Sequence, residues 1–393
     1  MLDRLYGNQL RSLLRRWPAV VVLGPRQCGK TTLSRTTLDG WSYLDLERPS
    51  DATPLAADPE ARLAQLGDHV IFDEAQQVPG VFSLLRSVID EHRSRNGRFV
   101  LLGSASPSLV RGVSESLAGR AAFLELPPLR WEEVHRGRPT ADINDLWYRG
   151  GFPRMFLARG DAARHEWLEA YTRAVIERDL PALGVEVSTA QMRRLWPMLA
   201  HVHGGLWNAS QLAQSLGLSY HTVNRYLDIL EQTFLIRRLP PFFVNLRKRL
   251  VKSPKVYIRD SGVLHGLLGI QSARALDTHP ARGLSWEGFI IDQMVSGLQR
   301  VRPSSQAYFW RTATGQEVDL LIDHGPRRVP FEIKLHSTPT PDDARGVRLC
   351  MADLKLKRGY VIHAGSGEYS LGGGVTALPA GAVLATPKAL VTL

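Results

Sequence analysis

The chain reads Gly24-Pro25-Arg26-Gln27-Cys28-Gly29-Lys30-Thr31 directly after the apolar run Ala19-Val20-Val21-Val22-Leu23. The eight residues satisfy the pattern G-x-x-x-x-G-K-[ST], in which glycines allow consecutive backbone N–H groups to surround phosphate oxygens. The apolar run is typical of a buried parallel strand, and a helix that begins near Thr31 would face its N-terminus toward an anion. The sequence therefore predicts a nucleoside triphosphate site formed by this loop and Thr32. Lys30 would contact the β- and γ-phosphates, and Thr31 would bind Mg²⁺.

A second apolar strand, His69-Val70-Ile71-Phe72, ends in the adjacent carboxylates of Asp73 and Glu74. Active sites of α/β sheets lie at the carboxyl ends of the strands, so we expect these carboxylates beside the phosphate loop. Asp73 is predicted to bind Mg²⁺, and Glu74 to orient or deprotonate the attacking water. A surface turn has the same composition, but the complete phosphate loop upstream favours the catalytic interpretation.

Two further polar positions are candidates for contact with the nucleotide. A third apolar run ends in Ser104-Ala105-Ser106, and either Ser104 or Ser106 is predicted to contact the γ-phosphate or the attacking water. Arg120 precedes the apolar run Ala121-Ala122-Phe123-Leu124. An arginine can stabilise the charge of the transition state on its own chain or on a neighbouring subunit, and a solvated or structural arginine is the alternative.

Five segments of the chain together resemble a known family. They are residues 24–33, Phe72-Asp73-Glu74-Ala75-Gln76, Gly103-Ser104-Ala105-Ser106, Leu117-Ala118-Gly119-Arg120 and Gly150-Gly151-Phe152-Pro153. They resemble the prokaryotic AAA-type P-loop ATPases that carry a C-terminal domain of unknown function, and the resemblance covers nearly the whole chain. It implies an ATPase core that uses ATP and Mg²⁺, a winged-helix segment and a terminal domain similar to PD-(D/E)XK nucleases. Cys28 departs from the small aliphatic residue expected there, and we expect it to make the loop sensitive to thiol reagents.

The composition describes an ordinary soluble protein of two or three domains, with 393 residues of which 44% are apolar and 22% charged. The net charge of +11 favours a polyanionic partner, nucleic acid before an anionic membrane, although a basic protein without such a partner has the same balance. Two cysteines cannot build a disulfide framework, which indicates the reducing cytoplasm. No segment reaches the about 18 consecutive apolar residues of a membrane helix, and no signal peptide is recognised.

The middle of the chain has the pattern of a helix-turn-helix. A helix containing Leu212 and Leu216 is predicted to end at Gly217, and Ser219 is predicted to cap a second helix that buries Val223 and Leu227. Two β-capable runs follow at residues 234–239 and 255–259, joined by a basic stretch with Arg247, Lys248, Arg249 and Lys252. A winged helix is the simplest interpretation. It would expose Tyr220, His221, Asn224 and Arg225 to DNA, although winged helices also serve as protein-binding modules.

The last third contains a second group of charged residues. Glu287 lies on an apolar helix, Asp319 on a strand, and Glu332 and Lys334 share one face of a following strand. Asp319 and Glu332 are predicted to bind Mg²⁺ together, while Lys334 positions the water or the phosphate. The order is similar to the signature of PD-(D/E)XK nucleases. The same residues could instead remain in a domain used only for binding or assembly.

These observations predict an α/β chain with three parts. Residues 1–158 would form an AAA-type P-loop domain around a parallel sheet, 159–270 linker helices and a winged helix, and 271–393 an α/β nuclease-like domain. The predicted function is ATP hydrolysis that regulates DNA binding or processing by the C-terminal half, with ATP and ADP, DNA and a possible homo-oligomer as partners. The alternative is a nucleotide-dependent interaction protein whose nuclease-like domain is inactive.

Overall fold

The computed structural model describes residues 2–104, 107–182, 188–242, 253–312 and 314–391. The chain forms two compact units. The first extends to Leu129 and includes Gln232–Phe234, and the second contains Arg130–Pro181 and most of the chain from residue 188 onward.

The first unit is a five-stranded parallel sheet with helices between its strands. In chain order the strands are β1 (Ala19–Gly24), β2 (Ser42–Asp45), β3 (Val70–Asp73), β4 (Phe99–Ser104) and β5 (Ala121–Glu125). The helices are α1 (Tyr6–Leu14), α2 (Lys30–Thr37), α3 (Pro49–Ala57), α4 (Pro59–Leu66), α5 (Gly80–Glu91) and α6 (Pro107–Ser116). The strand order is β2-β3-β4-β1-β5, and every neighbouring pair is parallel. Parallel neighbours require crossover connections, which the intervening helices supply.

Strand β1 lies inside this sheet between β4 and β5, and all six of its residues are buried. Strands β3 and β4 of the same sheet contribute Phe72 and Phe99 to a core that also contains Phe82 and Leu85 of α5. The buried strands predicted at residues 19–23, 69–72 and 98–103 are present as β1, β3 and β4, and they end at one edge of the sheet.

The second unit begins with helices. They are α7 (Trp131–Gly137), α8 (Ile143–Arg149), α9 (Pro153–Phe156), α10 (Asp161–Ala174), α11 (Leu180–Ala182), α12 (Thr189–His201), α13 (Ala209–Leu216), α14 (Tyr220–Gln232), α15 (Ser261–Leu267), α16 (Ala273–Asp277) and α17 (Arg282–Val301). A π-helical turn, Val175–Asp179, joins α10 to α11.

The helix-turn-helix pattern corresponds to α13 and α14. Helix α13 ends at Leu216 and is capped by Gly217, which has a left-handed backbone with φ of 67°. The Ser219 hydroxyl accepts a hydrogen bond from Thr222 N at 3.0 Å. Strands β6 (Ile236–Leu239) and β7 (Lys255–Ile258) then form an antiparallel pair. The basic stretch with Arg247, Lys248, Arg249 and Lys252 lies outside the described residues.

The chain ends in a six-stranded mixed sheet. Its strands are β8 (Gln306–Arg311), β9 (Glu317–Asp323), β10 (Arg328–Lys334), β11 (Gly359–His363), β12 (Tyr369–Gly372) and β13 (Val375–Pro379), in the order β12-β13-β11-β10-β9-β8. Strands β8, β9 and β10 are antiparallel neighbours, whereas β10, β11 and β13 are parallel. Helix α18 (Arg345–Leu354) makes the crossover between β10 and β11, and α19 (Ala380–Ala385) follows β13. Helices α17 and α18 both pack against β10.

Within the described residues, no helix is both long enough and apolar enough to span a bilayer.

Candidate functional site

The phosphate loop connects β1 to α2, as the motif predicts. Gln27 and Gly29 have positive φ angles of 61° and 101°, so the loop turns sharply before Lys30 opens α2. Gly24 is required for a steric reason, since a Cβ there would lie 2.2 Å from the carbonyl oxygen of Leu126. The loop therefore has the close backbone approach and the helix N-terminus that bind phosphate.

The Lys30 ammonium lies against this loop. It donates hydrogen bonds to the carbonyl oxygens of Gly24 at 3.0 Å and Pro25 at 3.1 Å, and the residue is buried. Of the other predicted loop contacts, Arg26 forms an ion pair with Glu47 at 3.9 Å, and Thr32 is exposed on the first turn of α2. The lysine is thus positioned at the loop by backbone groups rather than by a carboxylate.

Thr31 and Asp73 come into direct contact. The Thr31 hydroxyl donates to Asp73 Oδ2 at 2.6 Å, and the Tyr43 hydroxyl donates to the same oxygen at 2.8 Å. Burial, together with the hydrogen bond to Asp73, raises the pKa of Tyr43 above its ordinary value. Sequence reasoning missed Tyr43, which carries no motif signal beyond its place on a strand next to β3. A hydroxyl and a carboxylate at one point are a donor set that suits Mg²⁺.

Glu74 follows Asp73 in a left-handed conformation, with φ of 52°. Its carboxylate accepts a hydrogen bond from Gln76 Nε2 at 2.6 Å. Gln76 also approaches β4, since a Cβ on Gly103 would lie 2.7 Å from Gln76 Oε1. A non-glycine residue with positive φ costs about 1–3 kcal/mol, and such strain clusters at functional sites. Gln76 appeared in the sequence only as part of a family motif, and the structure adds it to the site.

Ser104 closes β4 directly opposite Gly24 in the parallel register, so its backbone lies at the edge that carries the loop. The side chain of Ser104 and the whole of Ser106 lie outside the described residues. The choice between the two serines stays a prediction.

Arg120 lies at the opposite edge of the sheet. Its carbonyl oxygen accepts from Ala19 N at 3.3 Å, at the start of β1, whereas the loop follows Gly24 at the end. At about 3.3 Å per residue the two edges are roughly 16 Å apart. The guanidinium instead donates to both carboxylate oxygens of Asp90, at 2.9 and 2.7 Å. In this arrangement Arg120 does not reach the phosphate loop of its own chain, so action on a neighbouring subunit and a structural role remain as the alternatives.

Cys28 is enclosed by the protein. Its side chain is fully buried, its thiol donates to the carbonyl oxygen of Leu126 at 3.2 Å, and burial raises its pKa. The thiolate is the reactive form, so this contradicts the expected sensitivity of the loop to thiol reagents. Arg4 braces the same segment by donating to the carbonyl oxygens of Cys28 and Pro127, both at 2.7 Å.

The charged residues of the last third also come together. Leu320 on β9 pairs with Phe331 on β10 in the antiparallel register. Asp319 comes directly before Leu320 and Glu332 directly after Phe331, so the two carboxylates lie side by side. Ile333 N donates to Asp319 Oδ2 at 2.8 Å, and Lys334 donates to Glu332 Oε1 at 2.8 Å. Burial and the charges of Glu287 and Glu332 raise the pKa of Asp319 well above its usual value. The predicted grouping of Glu287, Asp319, Glu332 and Lys334 is therefore present.

A lysine that sequence reasoning missed contacts this group. Lys255 on β7 donates to Glu287 Oε1 at 3.1 Å, forms an ion pair with Glu317 and lies 4.0 Å from Asp319 Oδ1. Burial acts to lower the pKa of Lys255, but the carboxylates outweigh it and raise the pKa above the ordinary value. No group of three or more metal-binding side chains in the described part of the chain is arranged to hold a metal ion. The predicted metal site at Asp319 and Glu332 therefore does not fit this arrangement, because an ammonium group supplies the positive charge.

Three family models match consecutive parts of the chain. An AAA domain matches residues 16–135, a domain of unknown function (DUF8612) matches 140–274, and another (DUF4143) matches 282–383. The first match contains the phosphate loop and the Asp73-Glu74 pair, and the third contains Glu287, Asp319 and Glu332.

The chain is 44% identical over 382 residues to the uncharacterized protein Rv2008c of Mycobacterium tuberculosis, covering 96% of this chain and 83% of that protein. The same figures hold for the uncharacterized protein Mb2031c of Mycobacterium bovis. An uncharacterized protein of Haemophilus influenzae is 23% identical over 218 residues, or 52% of this chain and 54% of that protein.

Solved structures of lower similarity include the Walker-type ATPase paby2304 of Pyrococcus abyssi, at 16% identity and a TM-score of 0.42. The match covers 68% of this chain and 96% of that one. The RuvB Holliday junction branch migration motor of Thermotoga maritima is 19% identical with a TM-score of 0.31, covering 61% and 90%.

Proposed function

Because the chain belongs to the family of the uncharacterized protein Rv2008c of Mycobacterium tuberculosis and contains a nucleotide-binding AAA-type domain, we propose that it hydrolyses ATP with Mg²⁺. The observation that carries this proposal is the contact of 2.6 Å between the Thr31 hydroxyl and Asp73, at the sheet edge where the phosphate loop begins. Two metal-binding groups from separate motifs meet there, beside a carboxylate suited to act on water.

Each residue has a role that follows from its chemistry. The loop amides and Lys30 bind the phosphates, and Thr31 and Asp73 are the residues that would hold Mg²⁺. A bound Mg²⁺ neutralises charge on the phosphate oxygens. Glu74 accepts a proton from the attacking water or orients it, and Gln76 positions the Glu74 carboxylate.

The test is ATP turnover by matched variants. Lys30→Ala should abolish nucleotide binding, whereas Glu74→Gln should bind ATP and lose roughly 10²-fold or more in turnover, the scale of a lost general base. Glu91→Gln, an exposed carboxylate at the end of α5, is the control and should behave as the parent. Parent turnover by Glu74→Gln would remove Glu74 from its catalytic role, and no turnover by the parent chain would refute the proposal.

We further propose that α13, α14, β6 and β7 form a winged helix that binds DNA through phosphates. The net charge of +11 and the exposed side chains of Tyr220, His221 and Arg225 support it. Asn224 is less available than the sequence predicted, since it accepts from Trp207 Nε1 at 2.8 Å and donates to Tyr220 O at 3.2 Å.

Binding of a DNA duplex measured at increasing salt tests this part. Affinity should fall steeply with salt because phosphate contacts release counterions. Replacing Arg247, Lys248 and Arg249 together by Ala, or Arg225 alone, should reduce the salt dependence, while Arg274→Ala, an exposed arginine on α16, should not. Salt-independent or absent binding would favour the second candidate, a nucleotide-dependent interaction protein.

That second candidate is favoured by one specific observation. The helix Glu, strand Asp and strand Glu-x-Lys order supports a nuclease-like fold for the terminal domain, but Lys255 already pairs with its carboxylates. We therefore propose that this domain binds or assembles and does not cleave DNA.

A further inference from the structure

Lys255 is the central cation of the C-terminal carboxylate cluster, which we define as Glu287, Glu317, Asp319 and Glu332. We propose that its ammonium takes the place of the divalent metal that such a set of carboxylates would otherwise bind, so that the cluster excludes Mg²⁺. This inference rests on the proposed nuclease-like arrangement and is independent of ATP hydrolysis.

The charges of the cluster are nearly balanced within the protein. Lys255 pairs with Glu287 and Glu317, Lys334 pairs with Glu332, and Arg311 pairs with Glu317 at 3.0 Å. Three cations thus face four carboxylates. Buried charges are tolerated when they are paired in this way, and a divalent ion added beside the Lys255 ammonium would meet like-charge repulsion in a medium of low dielectric.

Both the backbone and the side chain of Lys255 are held in place. Its backbone lies opposite Leu239 in the antiparallel pair of β6 and β7 and forms an isolated bridge with Leu206. Its side chain is 6% exposed, and its ammonium lies 5.8 Å from the centre of the Phe309 ring. An ammonium enclosed by backbone pairing, an aromatic face and carboxylates is not a mobile surface group.

Tyr257 reinforces the same contact. It lies two residues beyond Lys255 on β7, so both side chains extend from one face of the strand. The Tyr257 hydroxyl donates to Glu287 Oε1 at 2.6 Å, on the oxygen that also accepts from Lys255. Glu287 is therefore engaged by two donors from β7, and these contacts join the two-stranded sheet to α17 and β9.

Asp319 and Glu332 also have other hydrogen-bond partners within the protein. Asp319 accepts from Ile333 N, and one Glu332 oxygen accepts from Lys334. In the part of the chain that the structure describes, Glu332 Oε2 is the buried oxygen of this cluster that lacks a hydrogen bond. One such oxygen is too few to replace the ligands of Mg²⁺, which requires near-octahedral oxygen coordination.

The test is binding of Mn²⁺ to the full chain without nucleotide. The amount of free Mn²⁺ is measured by its electron paramagnetic resonance signal. All proteins carry Thr31→Ala, so that any Mn²⁺ bound at the phosphate loop is the same in every variant. With Lys255 present we expect no Mn²⁺ site that depends on Asp319, so adding Asp319→Asn should change nothing. Lys255→Met should gain one site, and Lys255→Met with Asp319→Asn should lose it.

Lys334→Met is the matched control. It removes the same charge from the cluster but leaves Lys255 in place, and it should gain no site. The proposal is overturned if Mn²⁺ binds with Lys255 present and is lost on Asp319→Asn, or if folded Lys255→Met gains no site. Circular dichroism establishes whether each variant folds. If Lys255→Met does not fold, the proposal is still tested by Mn²⁺ binding to the proteins that keep Lys255, with and without Asp319→Asn. A chain inactive toward ATP would leave every Mn²⁺ result unchanged.

Discussion

Gln76 holds Glu74 through a hydrogen bond of 2.6 Å from its side-chain amide to the carboxylate. The amide nitrogen of Gln76 is the donor, because a carboxylate accepts hydrogen bonds and an amide oxygen cannot donate one. Glu74 is thereby oriented at the end of β3 by a residue from the following turn, Ala75–Gln77.

Removing this contact should slow ATP turnover without weakening nucleotide binding. We expect Gln76→Ala to lower kcat roughly tenfold, less than loss of Glu74 itself, because positioning is lost and the base remains. Gln77→Ala, an exposed neighbour, is the control. Steady-state kinetics and nucleotide affinity check this, and an unchanged kcat in Gln76→Ala would remove Gln76 from the site.

Gly24→Ala should destabilise the first unit. The new Cβ would lie 2.2 Å from the Leu126 carbonyl oxygen, a backbone atom that cannot move aside without shifting the chain. Overpacking of this kind costs about 1–3 kcal/mol. Gly80→Ala has nothing within 4 Å of its added Cβ and should be neutral or slightly stabilising. Thermal unfolding of both variants compares them, and equal stability would contradict the steric argument.

Arg120 and Asp90 provide a test for action on a neighbouring subunit. The two side chains form a partly exposed ion pair, so Arg120→Ala and Asp90→Asn should lower stability slightly and to a similar extent. If Arg120 reaches the nucleotide of a neighbouring subunit, Arg120→Ala should also lose ATP turnover. Mixing the Arg120→Ala and Lys30→Ala proteins should restore part of that turnover, because a Lys30→Ala subunit supplies its Arg120 to a neighbour that binds ATP. If Arg120→Ala and Asp90→Asn hydrolyse ATP at the same rate, the role of Arg120 is structural.

His265 should make stability depend on pH. Burial lowers its pKa to about 4, and the neutral ring is satisfied by Tyr148 O at 2.9 Å and the Ser285 hydroxyl at 2.6 Å. An unfolded histidine has a pKa near 6.5, so the unfolded state binds more protons as pH falls below that value and stability is lost toward pH 4. At 1.36 kcal/mol per pKa unit, the loss from pH 7 to pH 5 is about 2 kcal/mol.

Denaturant unfolding at several pH values measures this effect. His265→Gln does not titrate and should show a pH dependence weaker by that amount, whatever its stability at neutral pH. His221→Gln, an exposed histidine on α14, should retain the parent dependence. Identical pH dependence in His265→Gln and the parent would show that the ring is not held neutral.

Both cysteines should resist alkylation in the folded chain. Cys28 and Cys350 are buried free thiols, and burial raises the pKa of Cys350 to about 12. Mass spectrometry after iodoacetamide treatment should find little modification until denaturant is added, since only the thiolate reacts. Rapid labelling of native Cys28 would restore the expectation that the phosphate loop is sensitive to thiol reagents.

The sequence by itself determined the local parts of the nucleotide site. Periodicity and motifs whose residues are close in the chain predict the strand before Gly24, the turn through Gly29 and the helix from Lys30. They also predict the carboxylates of Asp73 and Glu74 at the end of their strand. It also indicated that these strands end at one edge, because parallel strands joined by helices place their carboxyl ends together.

The tertiary structure decided which distant residues meet. Strand order and register place Arg120 beside Ala19 at the far edge, where it pairs with Asp90. Packing also brings the Lys255 ammonium to Glu287 and Asp319, at the place where the spacing of Asp319 and Glu332 predicted a metal ion. Motif spacing reports which side chains share an element, whereas a contact between elements depends on how the whole chain packs, and a single buried ammonium can change what a set of carboxylates binds.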